Sequence, residues 1–438
     1  MSTSVVRLSP ALLKRSALGP FGWIGVAICF VTSSLVSFLI IIILGIAGFV
    51  AVFKRTHHVP VEMSKQERKL TFNLPYYMSL HGLDIVEHTA TTSDGFNLQL
   101  KRIIDPTETA EQRGSRYPVL CIHGLLQSSE AYTTTGEGSI AISLFRAGYD
   151  VWLGNNRCGF KPSHKRYNKW DPRMWQWNLK DMAYKDLPCM VDFVRQATLS
   201  DKIALVGHSQ GTSQTFMALA RDGVDLGTKL SCFCALSPAV YKGPVLNKWY
   251  FKAFRTIPWM VYRLCFGHMA FVSAFGFLRE YTPISVYSFY GFMVFSSMFD
   301  WGDLLWNPGY RYRNFVFVPT YVSAELLYFW LGKGGIASTG CMFDESVSSW
   351  YDPAVTPPMI IFCPGKDNLV LPGPLVNRLK TYENLKRLEV IDLPSYSHLD
   401  VLWAADVDQQ VAKPMAKFIW SCIENQETWT AVKIDEEE

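Results

Sequence analysis

The sequence predicts an α/β fold in which helices pack against a mostly parallel central sheet. Short apolar runs typical of buried strands alternate with segments of helical spacing along most of the chain. One of these runs passes through a Gly-x-Ser-x-Gly turn directly into a helical segment. Late in the chain, an aromatic-rich insertion interrupts the alternation and predicts a helical cap over the sheet.

The composition limits the class of protein. The chain has 438 residues, of which 49% are hydrophobic, 14% aromatic and 18% charged, with a formal net charge of +4. Globular domains typically carry about 25% charged residues, so this chain has little charge for its length. The composition excludes intrinsic disorder and a small disulfide scaffold. Because there is no extended basic run, it also gives no support to a nucleic-acid partner.

The N-terminal region contains a long apolar segment. From Phe21 to Phe53 there is no charged residue, whereas about 20 apolar residues suffice to span a bilayer as a helix. A signal peptide has a shorter apolar region of about 7–15 residues. The segment therefore predicts a retained membrane anchor, either a transmembrane helix or a re-entrant hairpin. Basic residues flank both ends, and their slight excess after the segment favours a cytosolic catalytic domain.

The predicted elements of the sheet follow a polar linker. Residues 86–103 read as a hairpin that turns at Ser93-Asp94-Gly95, because two β-rich runs flank a strong turn signal. Beyond it, strands are predicted over 116–124, 149–155, 202–209, 229–240, 357–367 and 385–394, and helices over 139–148, 181–198, 210–221 and 404–423.

The aromatic insertion sets the predicted domain organisation. About a third of residues 249–330 are Phe, Tyr or Trp. They could form a helical core, line a long apolar pocket over the active site, or contact a membrane. The predicted segments are a tail and membrane anchor (1–53), a linker (54–75), the first part of the core (76–240), a cap or lid (241–345), the second part of the core (346–425) and an acidic tail (426–438).

The Gly-x-Ser-x-Gly sequence over 207–211 predicts a nucleophile. A β-rich run leads into it and a helical run leads out, which is the strand–turn–helix context of a nucleophile elbow. Gly207 and Gly211 let the backbone turn sharply without Cβ clashes. This turn raises the Ser209 hydroxyl above the sheet at the N-terminus of a helix.

A serine hydroxyl needs a base to remove its proton, and the base is oriented by a carboxylate. In α/β hydrolases these groups follow the order Ser, acid, His along the chain. His398 is predicted to be the base, because it is the one histidine that follows the insertion. His268 lies within the apolar insertion and is expected to be a packed side chain.

Asp367 is the predicted acid. It follows the run Met-Ile-Ile-Phe-Cys-Pro-Gly-Lys, at the carboxyl end of a strand, where the functional groups of such sheets cluster. Asp352 and Asp392 are the competing carboxylates. Asp400 is expected to stabilise the loop or helix that follows His398.

The oxyanion of the reaction intermediate requires backbone N–H donors. One is predicted at Gln210, directly after the nucleophile, and the other at Leu125, in the loop after a buried strand. His123 and His208 are expected to support the site rather than to transfer protons.

Several stretches of the sequence resemble the acid lipases, the eukaryotic cholesteryl ester and triacylglycerol lipases that include membrane-anchored fungal steryl ester hydrolases. They are TTSDGFNLQLKRI, PVLCIHGLLQSS, GYDVWLGNNR, DMAYKDLPCMVDFV, LVGHSQGT, GKDNLV and YSHLDVLWAADV, in family order within residues 76–425. The resemblance implies an α/β-hydrolase fold, a triad of Ser209, Asp367 and His398, and a cap over an acyl-chain pocket. Cys158 is a departure, since in the family a glycine directly follows the Gly-Asn-Asn-Arg motif.

These observations together predict a membrane-anchored serine hydrolase without a metal or organic cofactor. Its expected substrates are neutral-lipid esters, steryl esters first and triacylglycerols second, cleaved through an acyl-enzyme in lipid catabolism and sterol homeostasis. The expected location is the endoplasmic reticulum membrane or the lipid-droplet surface, with the plasma membrane as a further place. Two alternatives stay open: an acyltransferase with the same triad, and a non-catalytic lipid-binding protein.

Overall fold

A computed structural model describes residues 5–6, 20–52, 64–221, 223–267, 270–299 and 301–429 of the chain. His268, residues 54–63 of the predicted linker and the acidic tail from 430 onward lie outside the described residues.

The centre of the molecule is a mixed sheet that confirms the predicted fold class. In the described part of the chain it has nine strands in the order β1-β2-β4-β3-β6-β7-β8-β9, with β5 paired to β2. The pairs that involve β2 are antiparallel, and all the others are parallel. The strands are β1 Asp84–Thr91, β2 Phe96–Ile104, β3 Pro118–Ile122, β4 Asp150–Gly154, β5 Ser163–His164, β6 Ile203–His208, β7 Leu230–Leu236, β8 Met359–Pro364 and β9 Leu388–Leu393.

Helices cover both faces of this sheet and form most of the insertion. They are α1 Pro20–Val52, α2 Lys65–Arg68, α3 Leu74–Ser79, α4 Ala110–Gly114, α5 Ile140–Ala147, α6 Leu179–Asp181, α7 Leu187–Thr198, α8 Gln210–Leu219, α9 Trp249–Thr256, α10 Trp259–Phe266, α11 Ala274–Tyr281, α12 Ile284–Phe299, α13 Arg311–Asn314, α14 Ala324–Leu331, α15 Ile336–Thr339, α16 Pro372–Thr381, α17 Asp400–Trp403 and α18 Lys413–Ser421.

The central strands consist mostly of apolar residues because helices bury both of their faces. Every residue of β3, β4, β6, β7 and β8 is buried. Successive residues of β3 point to opposite sides of the sheet: Leu120 and Ile122 pack into one apolar cluster, and Val119 and Cys121 into the other. All ten cysteines are free thiols, so the buried ones act as small apolar side chains.

Two predicted helices contain a proline and widen just before it. The helix predicted over 181–198 has a π-helical turn at Met182–Asp186, immediately before α7 and Pro188. The last predicted helix has a similar turn at Asp408–Ala412 before Pro414. Proline clashes with the carbonyl four residues earlier and cannot donate a backbone hydrogen bond, so a wider turn relieves both problems.

The segment between β7 and β8, residues 241–345, contains helices α9 to α15 and is called the cap below. Its longest helix, α12, has no charged residue and is buried along one side. The division of the chain into domains at the predicted boundaries stays a prediction.

The N-terminal apolar segment forms one uninterrupted helix, α1, of 33 residues. The alternative of a re-entrant hairpin is therefore wrong for residues 20–52. In the described ranges α1 is the one helix long and apolar enough to cross a membrane. It lies against the cap helices α10, α11 and α12.

Candidate active site

The turn between β6 and α8 holds Ser209 in a strained conformation. Its φ of 50° and ψ of −116° lie outside the regions that L-residues favour, at a typical cost of about 1–3 kcal/mol. Close packing keeps the turn in place. A Cβ added to Gly207 would lie 3.0 Å from the backbone of Gly211, and one added to Gly211 would lie 2.6 Å from the carbonyl oxygen of Ile122. Side chains at these two positions would push α8 away from the sheet.

Three of the predicted side chains meet above the carboxyl ends of β6, β8 and β9. His398 Nε2 lies 2.9 Å from Ser209 Oγ, and His398 Nδ1 lies 2.7 Å from Asp367 Oδ2. The other carboxylate oxygen, Oδ1, accepts hydrogen bonds from the backbone N–H groups of Leu369 and Val370 at 2.8 and 3.1 Å. Asp367 is thus fixed by three hydrogen bonds, and all three side chains of the group are buried.

In the described part of the chain, the competing carboxylates do not hydrogen-bond to His398. Asp352 accepts a hydrogen bond from the N–H of Ala354 at 2.9 Å, and Asp392 is exposed on β9. Asp400 accepts hydrogen bonds from the N–H of Ser397 at 2.5 Å and from Trp306 Nε1 at 2.7 Å. Burial raises the pKa of Asp400 above its ordinary value. Asp400 therefore connects the loop around His398 to Trp306 of the cap segment.

Two backbone N–H groups are available beside the nucleophile. Gln210 begins α8, and the first N–H groups of a helix have no partner within the helix. Leu125 follows β3 and borders the same cavity as Ser209. The loop passes close to the nucleophile, since a Cβ on Gly124 would lie 3.1 Å from Ser209 Cβ. Among the hydrogen bonds of the described chain, neither of these N–H groups is a donor. Both N–H groups are therefore candidates for binding an oxyanion.

Gln127 joins the loop that contains Gly124 and Leu125 to the rest of the site, and the sequence predicted no role for it. Its Oε1 accepts a hydrogen bond from the N–H of Gly124 at 3.1 Å and lies 2.9 Å from His208 Nδ1. His208 Nε2 lies 3.2 Å from the carbonyl oxygen of His398. Burial, with a smaller effect of His398, holds the pKa of His208 well below its ordinary value. A neutral His208 has one N–H and donates to one of these two acceptors.

The cap supplies two tryptophans that contact the site. The ring of Trp301 stacks on the imidazole of His398, with centroids 5.6 Å apart and planes inclined by 12°. Trp330 Nε1 donates a hydrogen bond of 2.9 Å to the side-chain Oε1 of Gln210. The sequence predicts neither position, because nothing in the local pattern separates these two residues from the many other aromatic residues of the cap.

A cavity of about 350 Å³ opens onto Ser209 and His398. Its walls are almost entirely apolar, and most of the aromatic ones come from the cap. The aromatic residues of the cap in these walls include Phe251, Phe254, Phe266, Phe271, Phe295, Phe299, Trp301 and Trp330. In the part of the chain that the structure describes, no group of three His, Cys, Asp or Glu side chains is placed to hold a metal ion.

Comparisons with known proteins agree with the observed fold. Residues 74–136 match the family model of a partial alpha/beta-hydrolase lipase region, and residues 117–264 match that of the alpha/beta hydrolase fold. Sterol esterase 2 of Saccharomyces cerevisiae is 32% identical over 395 residues, which cover 80% of this chain and 72% of that protein. Human gastric triacylglycerol lipase is 27% identical over 404 residues, which cover 86% of this chain and 98% of that protein.

Proposed function

The chain belongs to the acid lipase family of α/β hydrolases, and from this premise we propose that it cleaves neutral-lipid esters with Ser209 as nucleophile, His398 as base and Asp367 as the orienting acid. It is a carboxylic ester hydrolase. The observation that carries the proposal is the continuous Ser209–His398–Asp367 hydrogen-bond chain at the floor of an apolar cavity.

The first step forms an acyl-enzyme. His398 Nε2 takes the proton from Ser209 Oγ as this oxygen attacks the ester carbonyl carbon. Asp367 accepts a hydrogen bond from the Nδ1–H of His398, which holds the tautomer and stabilises the imidazolium. The N–H groups of Leu125 and Gln210 bind the developing oxyanion. Loss of one such donor typically costs about 2.7–4 kcal/mol of transition-state stabilisation.

The second half of the reaction releases the products. The imidazolium of His398 returns its proton to the leaving alcohol as the tetrahedral intermediate collapses. Water then attacks the acyl-enzyme with His398 again as base, and the fatty acid departs as Ser209 regains its proton. Since an alcohol in place of water would give acyl transfer, product analysis with a competing sterol distinguishes the two outcomes.

Steryl esters are the first proposed substrates and triacylglycerols the second. The apolar walls of the cavity suit long hydrocarbon groups and offer few polar partners for a charged headgroup. The relatives support this order, because the sterol esterase has the higher identity to this chain and the gastric lipase the lower one.

Membrane attachment through α1 is also part of the proposal. The helix presents large apolar side chains to the solvent along most of its length, and a lipid phase would cover them. We place the enzyme at the endoplasmic reticulum membrane or on lipid droplets, with the plasma membrane as a further place and with its catalytic body in the cytosol.

The test compares purified wild-type protein with Ser209→Ala in detergent. Fatty-acid release from cholesteryl oleate and triolein should be lost in Ser209→Ala, together with labelling by a fluorophosphonate probe. Ser231→Ala, a buried serine of β7 away from the cavity, is the matched control and should retain both. Ester hydrolysis by Ser209→Ala would refute the mechanism, and release of fatty acid mainly from phospholipids would refute the substrate class.

A further inference from the structure

Helix α1 borders the same cavity as the nucleophile. Ile40 and Leu44 line the cavity that Ser209 and His398 also line. Because residues four apart lie on one face of a helix, these two side chains form a single strip directed at the interior. The apolar segment that resembles a simple anchor is therefore also part of the inner surface of the enzyme.

Close contacts fix α1 in this position. Thr32 Oγ1 donates a hydrogen bond of 2.6 Å to the carbonyl oxygen of Leu264 on α10. The hydroxyl of Tyr290 on α12 donates to the carbonyl oxygen of Ile41. A Cβ on Gly48 would lie 3.0 Å from the backbone of Met293, so α1 and α12 approach each other closely there. These contacts show that α1 packs in a defined position against the cap helices α10 and α12.

The opposite face of α1 is open. Leu39, Ile42, Ile43 and Ile46 each expose more than half of their side-chain surface. Adjacent positions such as Ile43 and Leu44 therefore differ sharply in their surroundings, and this contrast supplies a matched pair for an experiment.

We propose that α1 is a structural part of the substrate site and that Ile40 and Leu44 limit the length of the acyl chain that the cavity accepts. This inference rests on the proposed ester hydrolysis. Larger side chains at these positions would shorten the cavity, and smaller ones would lengthen it. A larger or smaller side chain at Ile43, on the open face, would leave the length of the cavity unchanged.

The experiment measures kcat/KM for p-nitrophenyl palmitate and p-nitrophenyl butyrate in detergent micelles. In Leu44→Phe the palmitate-to-butyrate ratio should fall by about tenfold, because a hydrophobic pocket discriminates by that order for small changes in fit. In Leu44→Ala the ratio should rise, because the smaller side chain lengthens the cavity. Ile43→Phe, the matched control on the open face, should leave the ratio unchanged.

The outcomes separate this inference from the proposed function. Equal ratios in Leu44→Phe and Ile43→Phe would overturn the role of α1 while leaving ester hydrolysis intact. Absence of hydrolysis of both esters in the wild type would refute the proposed function instead. If Leu44→Phe does not fold, a higher ratio in Leu44→Ala supports the inference and an equal or lower one contradicts it.

A separate observation concerns the two ends of α1. Val6 forms an antiparallel bridge with Phe343, and the N–H of Asp344 donates a 2.9 Å hydrogen bond to the carbonyl oxygen of Val5. Both valines are buried, at 4% and 1% exposure. On the other side of α1, helix α3 packs Leu74 into the apolar core. The chain before α1 and the chain after it are therefore attached to the same body.

A helix that spans a bilayer leaves its two ends on opposite sides. We infer that α1 does not span, and that it lies in the plane of a single leaflet or a lipid-droplet monolayer, with its open face among the acyl chains. The packing of α10, α11 and α12 along α1 fits this arrangement, because a spanning α1 would carry these cap helices into the bilayer with it.

Glycosylation mapping tests the arrangement. One fusion protein has an acceptor tag at the N-terminus and a second has it at the C-terminus. The sequence itself contains no Asn-X-Ser/Thr acceptor, so any glycosylation occurs on the fused tag. Expressed with microsomes, the two tags should give the same result, both modified or both unmodified. Modification of one tag alone would show that α1 spans and would overturn the inference. A known transmembrane protein with the same tags verifies the assay.

Discussion

The sheet and the cap contribute to the same cavity, but they are specified in different ways. The sheet places Ser209, Asp367 and His398 at the ends of three strands, and each belongs to a short local pattern of strand and turn. The cap places Trp301 and Trp330 through packing between residues far apart in the chain. The chemistry of this enzyme is thus encoded locally, whereas the shape of its cavity depends on long-range aromatic contacts.

The largest expected effect concerns Asp367, one of the three side chains that the sheet positions. Asp367→Asn should lower kcat for ester hydrolysis by about 10⁴-fold, since an amide favours the wrong imidazole tautomer in such triads. Steady-state kinetics on a p-nitrophenyl ester would measure the loss. Asp392→Asn, an exposed carboxylate on β9, is the control and should keep its activity. A loss below tenfold in Asp367→Asn would mean that another group orients His398.

The second effect concerns the stability of the elbow. Gly211→Ala adds a Cβ only 2.6 Å from the carbonyl oxygen of Ile122, so overpacking should lower the free energy of unfolding by about 1–3 kcal/mol. Thermal or urea unfolding would measure it. At Gly138 an added Cβ meets nothing within 4 Å, and Gly138→Ala should leave stability within about 0.5 kcal/mol of the wild type. Equal stability of the two variants would contradict the close contact of α8 with the sheet.

The third expected effect concerns Trp301, which the cap places against His398. Trp301→Ala removes the ring that stacks on His398 and should reduce kcat/KM by about tenfold, which corresponds to about 1.4 kcal/mol and is the order of an aromatic stacking contact. Trp301→Phe keeps an aromatic ring and should recover part of the loss. Trp249, an exposed tryptophan of the same cap, provides the control Trp249→Ala. If Trp301→Ala and Trp249→Ala behave alike, Trp301 does not position His398.

The last expected effect is a pH dependence of stability. Burial lowers the pKa values of His123 and His208 in the folded protein, whereas unfolded histidine has a pKa of about 6.5. Below that pH the unfolded chain binds protons that the folded chain does not bind. The free energy of unfolding should therefore fall by up to about 1.4 kcal/mol per pH unit for each histidine. Urea unfolding at pH 7 and pH 5 should show a smaller pH difference in His208→Gln. The same difference in both proteins would contradict this origin.

The fold was predictable from the sequence because its signals are local. Predicted strands such as 202–209 and 229–240 contain the observed Ile203–His208 and Leu230–Leu236, and β-rich runs between turns set these limits. The family prediction is confirmed for the same reason, since its motifs are short contiguous stretches. The roles of the triad residues stay predictions that the observed contacts support.

Other features depend on contacts between distant residues and carry no local signal. Stacking of Trp301 on His398 requires the folded cap, and the strip of Ile40 and Leu44 becomes part of the cavity only when α1 packs beside α12. The apolar run of α1 is equally consistent with a spanning helix, a hairpin or a packed helix, because hydropathy alone does not specify what covers a side chain.

The contact of Thr32 with Leu264 has a consequence for biosynthesis. Its two partners are 232 residues apart, and ribosomes add about 5–20 residues per second, so α1 precedes its first cap partner by roughly 10–50 s. During this interval the cap helices that contact α1 have not yet been synthesised. We expect lipid or a chaperone to shelter the nascent helix, so that its delivery to the membrane comes before the catalytic body folds around it.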